Sequence, residues 1–88
     1  METIKLKYPV SDGSAEISEM KMRRPKVRDM VAADTGKTDA AKEVKLFANL
    51  CDVTEEVIGG MDMADYKTMQ ETYTGFLSSP RPTPAKPA

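Results

Sequence analysis

The chain contains no histidine and no tryptophan, and Cys51 is its only cysteine. Without histidine it lacks the commonest general base and the commonest metal ligand. A single thiol excludes an intrachain disulfide and a thiolate cluster. No apolar run approaches the length of a membrane span, and Met1-Glu-Thr-Ile-Lys5 does not begin a signal peptide. Neither sign of charge is in excess: 13 Lys and Arg stand against 14 Asp and Glu, for a formal net charge of −1, which predicts no bulk attraction to nucleic acid or to a membrane. These absences predict a non-enzymatic protein of a reducing cytoplasm, with no cofactor, no metal and no membrane partner.

At 88 residues the chain makes one small domain, with no room for a catalytic domain beside a regulatory one. What it has in quantity is methionine, seven in all. It also has a basic corner. In Met20-Lys-Met-Arg-Arg-Pro-Lys-Val-Arg-Asp-Met30, the cations Lys21, Arg23, Arg24, Lys26 and Arg28 crowd the passage from a strand into a helix. A helix N-terminus carries partial positive charge and prefers acidic neighbours, so the corner opposes the local electrostatic preference.

The fold reads as α+β: an N-terminal β-hairpin, then three to four short helices, then a disordered proline-rich tail. Ile4, Leu6, Tyr8 and Val10 alternate with Lys5, Lys7 and Pro9, the period of a half-buried strand. Asp12-Gly13 predicts a type I′ two-residue turn, placing Val10 opposite Ala15 and Tyr8 opposite Ile17. An extra residue near Ser18-Glu19 then pairs Leu6 with Met20 and Ile4 with Met22, so a β-bulge is expected there.

Pro25 suits the first position of a helix, whose apolar stripe is Val27, Met30 and Val31, ending near Asp34. Thr35-Gly-Lys-Thr-Asp39 is a polar connector in which Thr38 or Asp39 caps the next helix. Ala40, Val44, Phe47, Ala48 and Cys51 share one face of that helix, widened by Leu46 and Leu50. Thr54 is a further N-cap, followed by Glu55 and Glu56 at the favourable end of the dipole, and Gly59-Gly60 ends this short helix. Val53 with Ile58, and Met61 with Tyr66, are spaced as hydrophobic staples. Asp62 begins the last helix, with Asp65 where a capping box carries an acid. Met63, Tyr66, Met69, Tyr73, Phe76 and Leu77 make its apolar face. Pro80, Pro82, Pro84 and Pro87 forbid a helix beyond it. The domain is therefore drawn as residues 1–77 and the flexible tail as 78–88. A core of roughly 75 residues is near the lower limit for an unaided domain. That scarcity favours a partner and is compatible with a homo-oligomer.

Each chemical signal has a plainer competitor. Gly36-Lys37-Thr38 resembles the end of a phosphate-binding loop, but position 31 is valine where the upstream glycine is required, so a capped connector is the better reading. Asp62 and Asp65 suit helix capping better than a metal pair. Cys51, on an apolar face, reads as a small core residue. The basic corner admits three readings: a solvated charge run, a grip on phosphates, or a contact with acidic protein groups, either a partner's or this domain's own Glu55, Glu56, Asp62 and Asp65. No aromatics are interleaved with the cations to stack single strands, and no helix-turn-helix follows, so nucleic acid is disfavoured. The methionines read either as gap-fillers of a small core or as an adaptable binding surface.

Lys7-Tyr-Pro-Val10, followed by Ile17-Ser-Glu-Met-Lys-Met-Arg-Arg-Pro-Lys-Val-Arg-Asp29, resembles the tail assembly chaperones of Mu-like phages and related contractile-tailed prophages. Leu46-Phe-Ala-Asn-Leu50, Val53-Thr-Glu-Glu-Val57, Met61-Asp-Met-Ala-Asp-Tyr66 and Gly75-Phe-Leu77 follow in the family's order. The resemblance implies a non-enzymatic protein that binds the long tape measure protein transiently while tail tube subunits polymerise around it. Such a protein is expected in the host cytoplasm and not in the mature virion. It also implies that a translational frameshift gives some copies an extension that recruits tail tube protein. For partner contact the expected residues are Arg23, Arg24, Lys26 and Arg28 as a charged rim, with Met63, Tyr66, Met69 and Tyr73 in an apolar groove. The alternative is a small phage nucleic-acid-binding or regulatory protein using residues 21–28 on phosphates.

Overall fold

The computed structural model describes residues 1–78. Two antiparallel strands, β1 (Glu2–Ser11) and β2 (Glu16–Met22), precede four helices: α1 (Val27–Ala33), α2 (Asp39–Cys51), α3 (Glu55–Gly59) and α4 (Met63–Ser78). The expected tail lies outside the described residues, apart from Ser78, which ends α4.

The hairpin is irregular, but not where the sequence places the irregularity. Ile4 pairs with Met20 and Glu2 with Met22 far from the turn, whereas Val10 pairs with Ile17 near it. Between those registers, residues 6–9 of β1 stand opposite Ser18 alone. The excess is therefore on β1, opposite the strand expected to bulge. Two features of β1 explain this. Pro9 has no amide to give a ladder and is tolerated at such an interruption. The neighbouring amides of Lys7 and Tyr8 donate instead to the two carboxylate oxygens of Asp65 in α4, each at 3.0 Å. The bulge breaks the alternation, so Tyr8 points out, 56% exposed, while Ile4, Leu6 and Val10 are buried beside Met20 and Met22.

The turn also differs from the two-residue type I′ form. Asp12 does not take a positive φ; Gly13 does, at 101°. The Asp12 side chain accepts the Ser14 and Ala15 amides at 2.9 and 2.8 Å, and its own amide donates to the Ala15 carbonyl. This Asx-type closure draws Ser14 and Ala15 into the loop, and Ser11 pairs with Glu16 rather than Ser14.

One face of the hairpin is covered by helices, as a two-stranded sheet requires for stability. Phe47, Leu50, Met22 and Met69 are the largest fully buried side chains. The Phe47 ring lies 5.6 Å from Tyr66 and 5.5 Å from Tyr73, centroid to centroid, with interplanar angles of 59° and 60°. Such tilted pairs contribute about 0.5–1.5 kcal/mol each beyond burial. Val57, Ile58, Met61 and Cys51 complete the core. Burial raises the Cys51 thiol pKa to about 11, so it stays protonated and packs as a small apolar group.

The helix boundaries follow their caps. Thr38 Oγ1 accepts from the Ala41 amide and Thr54 Oγ1 from the Val57 amide. Asp62 Oδ1 takes the Ala64 amide at the start of α4. Gly60 caps α3, and α2 ends on Asp52 in the left-handed region, φ 55°. Gly36 lies in the α1–α2 connector, where a Cβ would stand 2.7 Å from the Lys42 backbone nitrogen. That close approach explains the glycine of Gly36-Lys37-Thr38 without phosphate.

Helix α1 departs most from expectation. It begins at Val27 with Lys26 as N-cap, not at Pro25, because the Asp29 carboxylate takes the Lys26 amide at 2.8 Å and sets the start there. Its buried residues are Asp29 and Ala33, while the stripe of Val27, Met30 and Val31 faces out. Ala40 of α2 is likewise exposed, and Val44 and Leu46 are half-buried.

Candidate partner-binding surface

The basic corner is built around a buried acid. Arg23, one residue beyond β2, donates from Nη1 and Nη2 to both oxygens of Asp29 at 2.9 and 2.6 Å. The Arg23 amide donates to the Leu50 carbonyl at 3.1 Å, which fixes the chain against the end of α2. The Arg23 hydrogen bonds hold the Asp29 carboxyl down to about 2, with the Lys26 amide adding to the effect against the opposing cost of burial. Asp29 also sits in the first turn of α1, where a negative charge offsets the helix dipole. One carboxylate thus resolves the electrostatic conflict visible in the sequence: it neutralises Arg23, caps α1 and faces the positive helix end. Glu55, Glu56, Asp62 and Asp65 do not serve as the internal partners of the corner. Glu55 pairs with Lys45 at 3.0 Å and Asp65 binds β1.

The other cations point outward. The Arg24 guanidinium lies 5.9 Å from the centre of the Phe76 ring, within reach of a cation–π contact. Lys26 and Arg28 are exposed, and among the described residues neither forms an ion pair. Beside them stands the outward stripe of α1: Val27 is 74% exposed, Met30 64% and Val31 62%.

The residues expected to form a groove on α4 are not brought together. Met69 is fully buried and belongs to the core. Tyr66 and Tyr73 are half-buried against Phe47. The Tyr66 hydroxyl donates to Glu43 Oε1 at 2.5 Å, and Gln70 Nε2 donates to the same oxygen at 2.8 Å, tying α4 to α2. Burial, and then the Glu43 carboxylate, raises the Tyr66 pKa. Only Met63, 75% exposed, is free on the surface. The exposed surface that remains as a candidate is the corner and α1, with Arg24, Lys26 and Arg28 beside Val27, Met30 and Val31. The sequence marks those three residues as an apolar stripe without showing which way the stripe faces. The signal that locates them is Asp29: with an acid drawn inward, the residues on the opposite face must point out.

A concavity of about 430 Å³ lies between α1, α2 and the start of α3, lined by Ala32, Lys45, Ala48, Asn49, Val53, Thr54, Glu55 and Glu56. None of the expected partner residues lines it. Among the described residues no three His, Cys, Asp or Glu side chains are grouped to hold a metal ion. No described helix is long and apolar enough to cross a membrane.

No curated protein and no solved structure matched the chain. A family model described as "Phage tail assembly chaperone proteins, E, or 41 or 14" matches residues 3–78, which takes in the hairpin, the basic corner and all four helices. The chain belongs to the phage tail assembly chaperone family, whose role implies interaction with phage tail proteins.

Proposed function

We propose that this chaperone binds the tape measure protein transiently in the host cytoplasm. It keeps the long helical surface of that protein soluble while tail tube subunits polymerise around it, and leaves before the tail is complete. The observation that supports this most is the outward stripe of α1. A small domain short of core leaves Val27, Met30 and Val31 largely exposed on one helix, and clustered apolar surface rimmed by charge is characteristic of a binding site. Recognition of an amphipathic helix by such a surface needs no catalytic group.

The charge distribution favours protein over nucleic acid as the partner. Arg23 is neutralised by Asp29, and the outward cations Arg24, Lys26 and Arg28 stand beside the exposed apolar stripe of α1, which a phosphate backbone would leave uncovered. In this reading, tail tube protein is engaged through an extended, frameshifted form of the chain.

Co-expression with the tape measure protein tests the proposal. The tape measure protein is expected to stay soluble and to co-purify with this chain, and to aggregate without it. Equal solubility in both conditions, with no co-purification, would overturn the reading. A gene with neither a slippery run nor an overlapping downstream frame would remove the extended form.

A further inference from the structure

From the chemistry of the α1 ridge we infer the class of helix it binds: an amphipathic helix whose apolar stripe is bordered by acidic residues. This inference rests on the proposed chaperone role and adds the site and the recognition rule. At about 100° per residue, Val27, Met30 and Val31 span one continuous face of α1. Arg28 is the next residue round the helix from that face, and Lys26 and Arg24 stand at its N-terminal end. Lys26 and Arg28 form no ion pair among the described residues. Asp29, the one acid within the helix, is turned inward and occupied by Arg23 and the Lys26 amide. Within α1 the charges that border the exposed apolar face are therefore cationic up to Asp34, itself paired with Lys42 at 3.2 Å, while Glu55 and Glu56 lie across the concavity beyond Ala32, with Glu55 paired to Lys45.

That border selects the occupant. A second copy docked by a twofold α1-to-α1 contact would place cations against cations, which is unfavourable. A helix bordered by lysine meets the same repulsion. A helix bordered by glutamate or aspartate buries its stripe on Met30 and its neighbours and pairs its acids with Lys26 and Arg28. The unbranched Met30 lets the ridge fit side chains of different shape, so charge at the border supplies discrimination while the apolar contact stays permissive.

The test uses the full chain and two labelled amphipathic peptides of roughly 18 residues, long enough to hold some helix. Their leucine stripes are identical, and one is bordered by glutamate, the other by lysine. Fluorescence anisotropy is expected to show the glutamate-bordered peptide binding at least about tenfold more tightly at low salt, with the gap narrowing as salt rises. Met30→Asp should weaken that binding about tenfold or more, since it places an acid on the apolar contact. Lys26→Glu combined with Arg28→Glu should reverse the preference between peptides. All three positions are exposed, so unchanged circular dichroism is expected to confirm that the variants fold.

Equal affinity for both peptides would overturn the inference, as would undiminished binding by Met30→Asp. So would Met30-dependent capture by anionic phosphatidylglycerol vesicles, or charge-dependent retention on duplex DNA, where the glutamate-bordered peptide does not bind. The two readings fail separately. Full rescue of tape measure solubility by the Met30→Asp chain would remove the α1 site and leave the chaperone role. Peptide discrimination without tape measure rescue would do the reverse.

Discussion

Asp29 lies in the first turn of α1 with its carboxylate held by both terminal nitrogens of Arg23, at 2.6 and 2.9 Å. The pair joins the end of the hairpin to the helix that carries the exposed apolar ridge. Arg23 is therefore a structural cation of the corner, and the outward-facing charge is left to Arg24, Lys26 and Arg28. With Asp29 facing the interior of the fold, Val27, Met30 and Val31 are turned to solvent.

This pairing makes stability depend on acid. The folded pKa of Asp29, about 2, lies below its ordinary value of 3.8. The contribution is fully present above the unfolded value and is lost as pH falls from about 4 through 2. Asp29→Asn is expected to cost about 2 kcal/mol at neutral pH, because it weakens the bonds to Arg23 and leaves that cation without a counter-charge. Thermal melts at pH 7 and pH 3 check this: the gap between wild type and variant should narrow at the lower pH. A constant gap would show that the pair does not titrate as described.

Asp65 carries a comparable load on the other side of the domain. It is buried and accepts both amides that the β1 bulge leaves without ladder partners. Asp65→Ala would leave two backbone donors unpaired, at an expected cost of about 2–4 kcal/mol. Asp65→Asn retains one acceptor and should cost less. Urea unfolding of the three chains gives the order directly, and equal stability would mean that the bulge does not depend on α4.

The methionines separate by burial rather than by position in the sequence. Met69→Ala removes a fully buried side chain from the core cluster that contains Phe47, for an expected loss of about 2–5 kcal/mol. Met63→Ala touches an exposed side chain and should change stability by no more than about 0.5 kcal/mol. Thermal melts of the two variants test the assignment of Met69 to the core.

Gly36→Ala is expected to destabilise by about 1–3 kcal/mol, since the new Cβ would press on the backbone of α2 at Lys42 and Ala41. Added nucleotide should not raise the melting temperature of the wild-type chain, in keeping with Gly36-Lys37-Thr38 as a connector. A nucleotide-dependent rise would restore the phosphate-loop reading.

The sequence made legible those features set by short-range chemistry. Thr38, Thr54 and Asp62 cap where their spacing from apolar runs placed them, and Gly59-Gly60 ended α3. The hairpin and the helix order were equally clear. Hidden features were those in which one side chain answers a distant part of the chain. Asp65 stands at the N3 position where a capping acid was expected, yet its carboxylate reaches 58 and 57 residues back to the Lys7 and Tyr8 amides. Nothing within a helix-length window signals that contact, and side-chain alternation alone points to a bulge on β2 where the structure has it on β1. Helix α1 was hidden for a different reason, since its deciding contact is local. A period of three and four residues identifies an apolar stripe but not whether it turns inward, and in α1 the half-exposed Arg23 paired with the buried Asp29 six residues on decides it.

The most direct test of the account follows the chain through assembly. Complexes isolated by pulling down the tape measure protein before tube completion, and finished particles, can both be quantified for this chain by mass spectrometry. Enrichment with the tape measure protein in the early complexes and loss from finished tails are the expected results. Retention in finished particles in fixed ratio to a tail component would contradict it and mark the chain as a structural subunit.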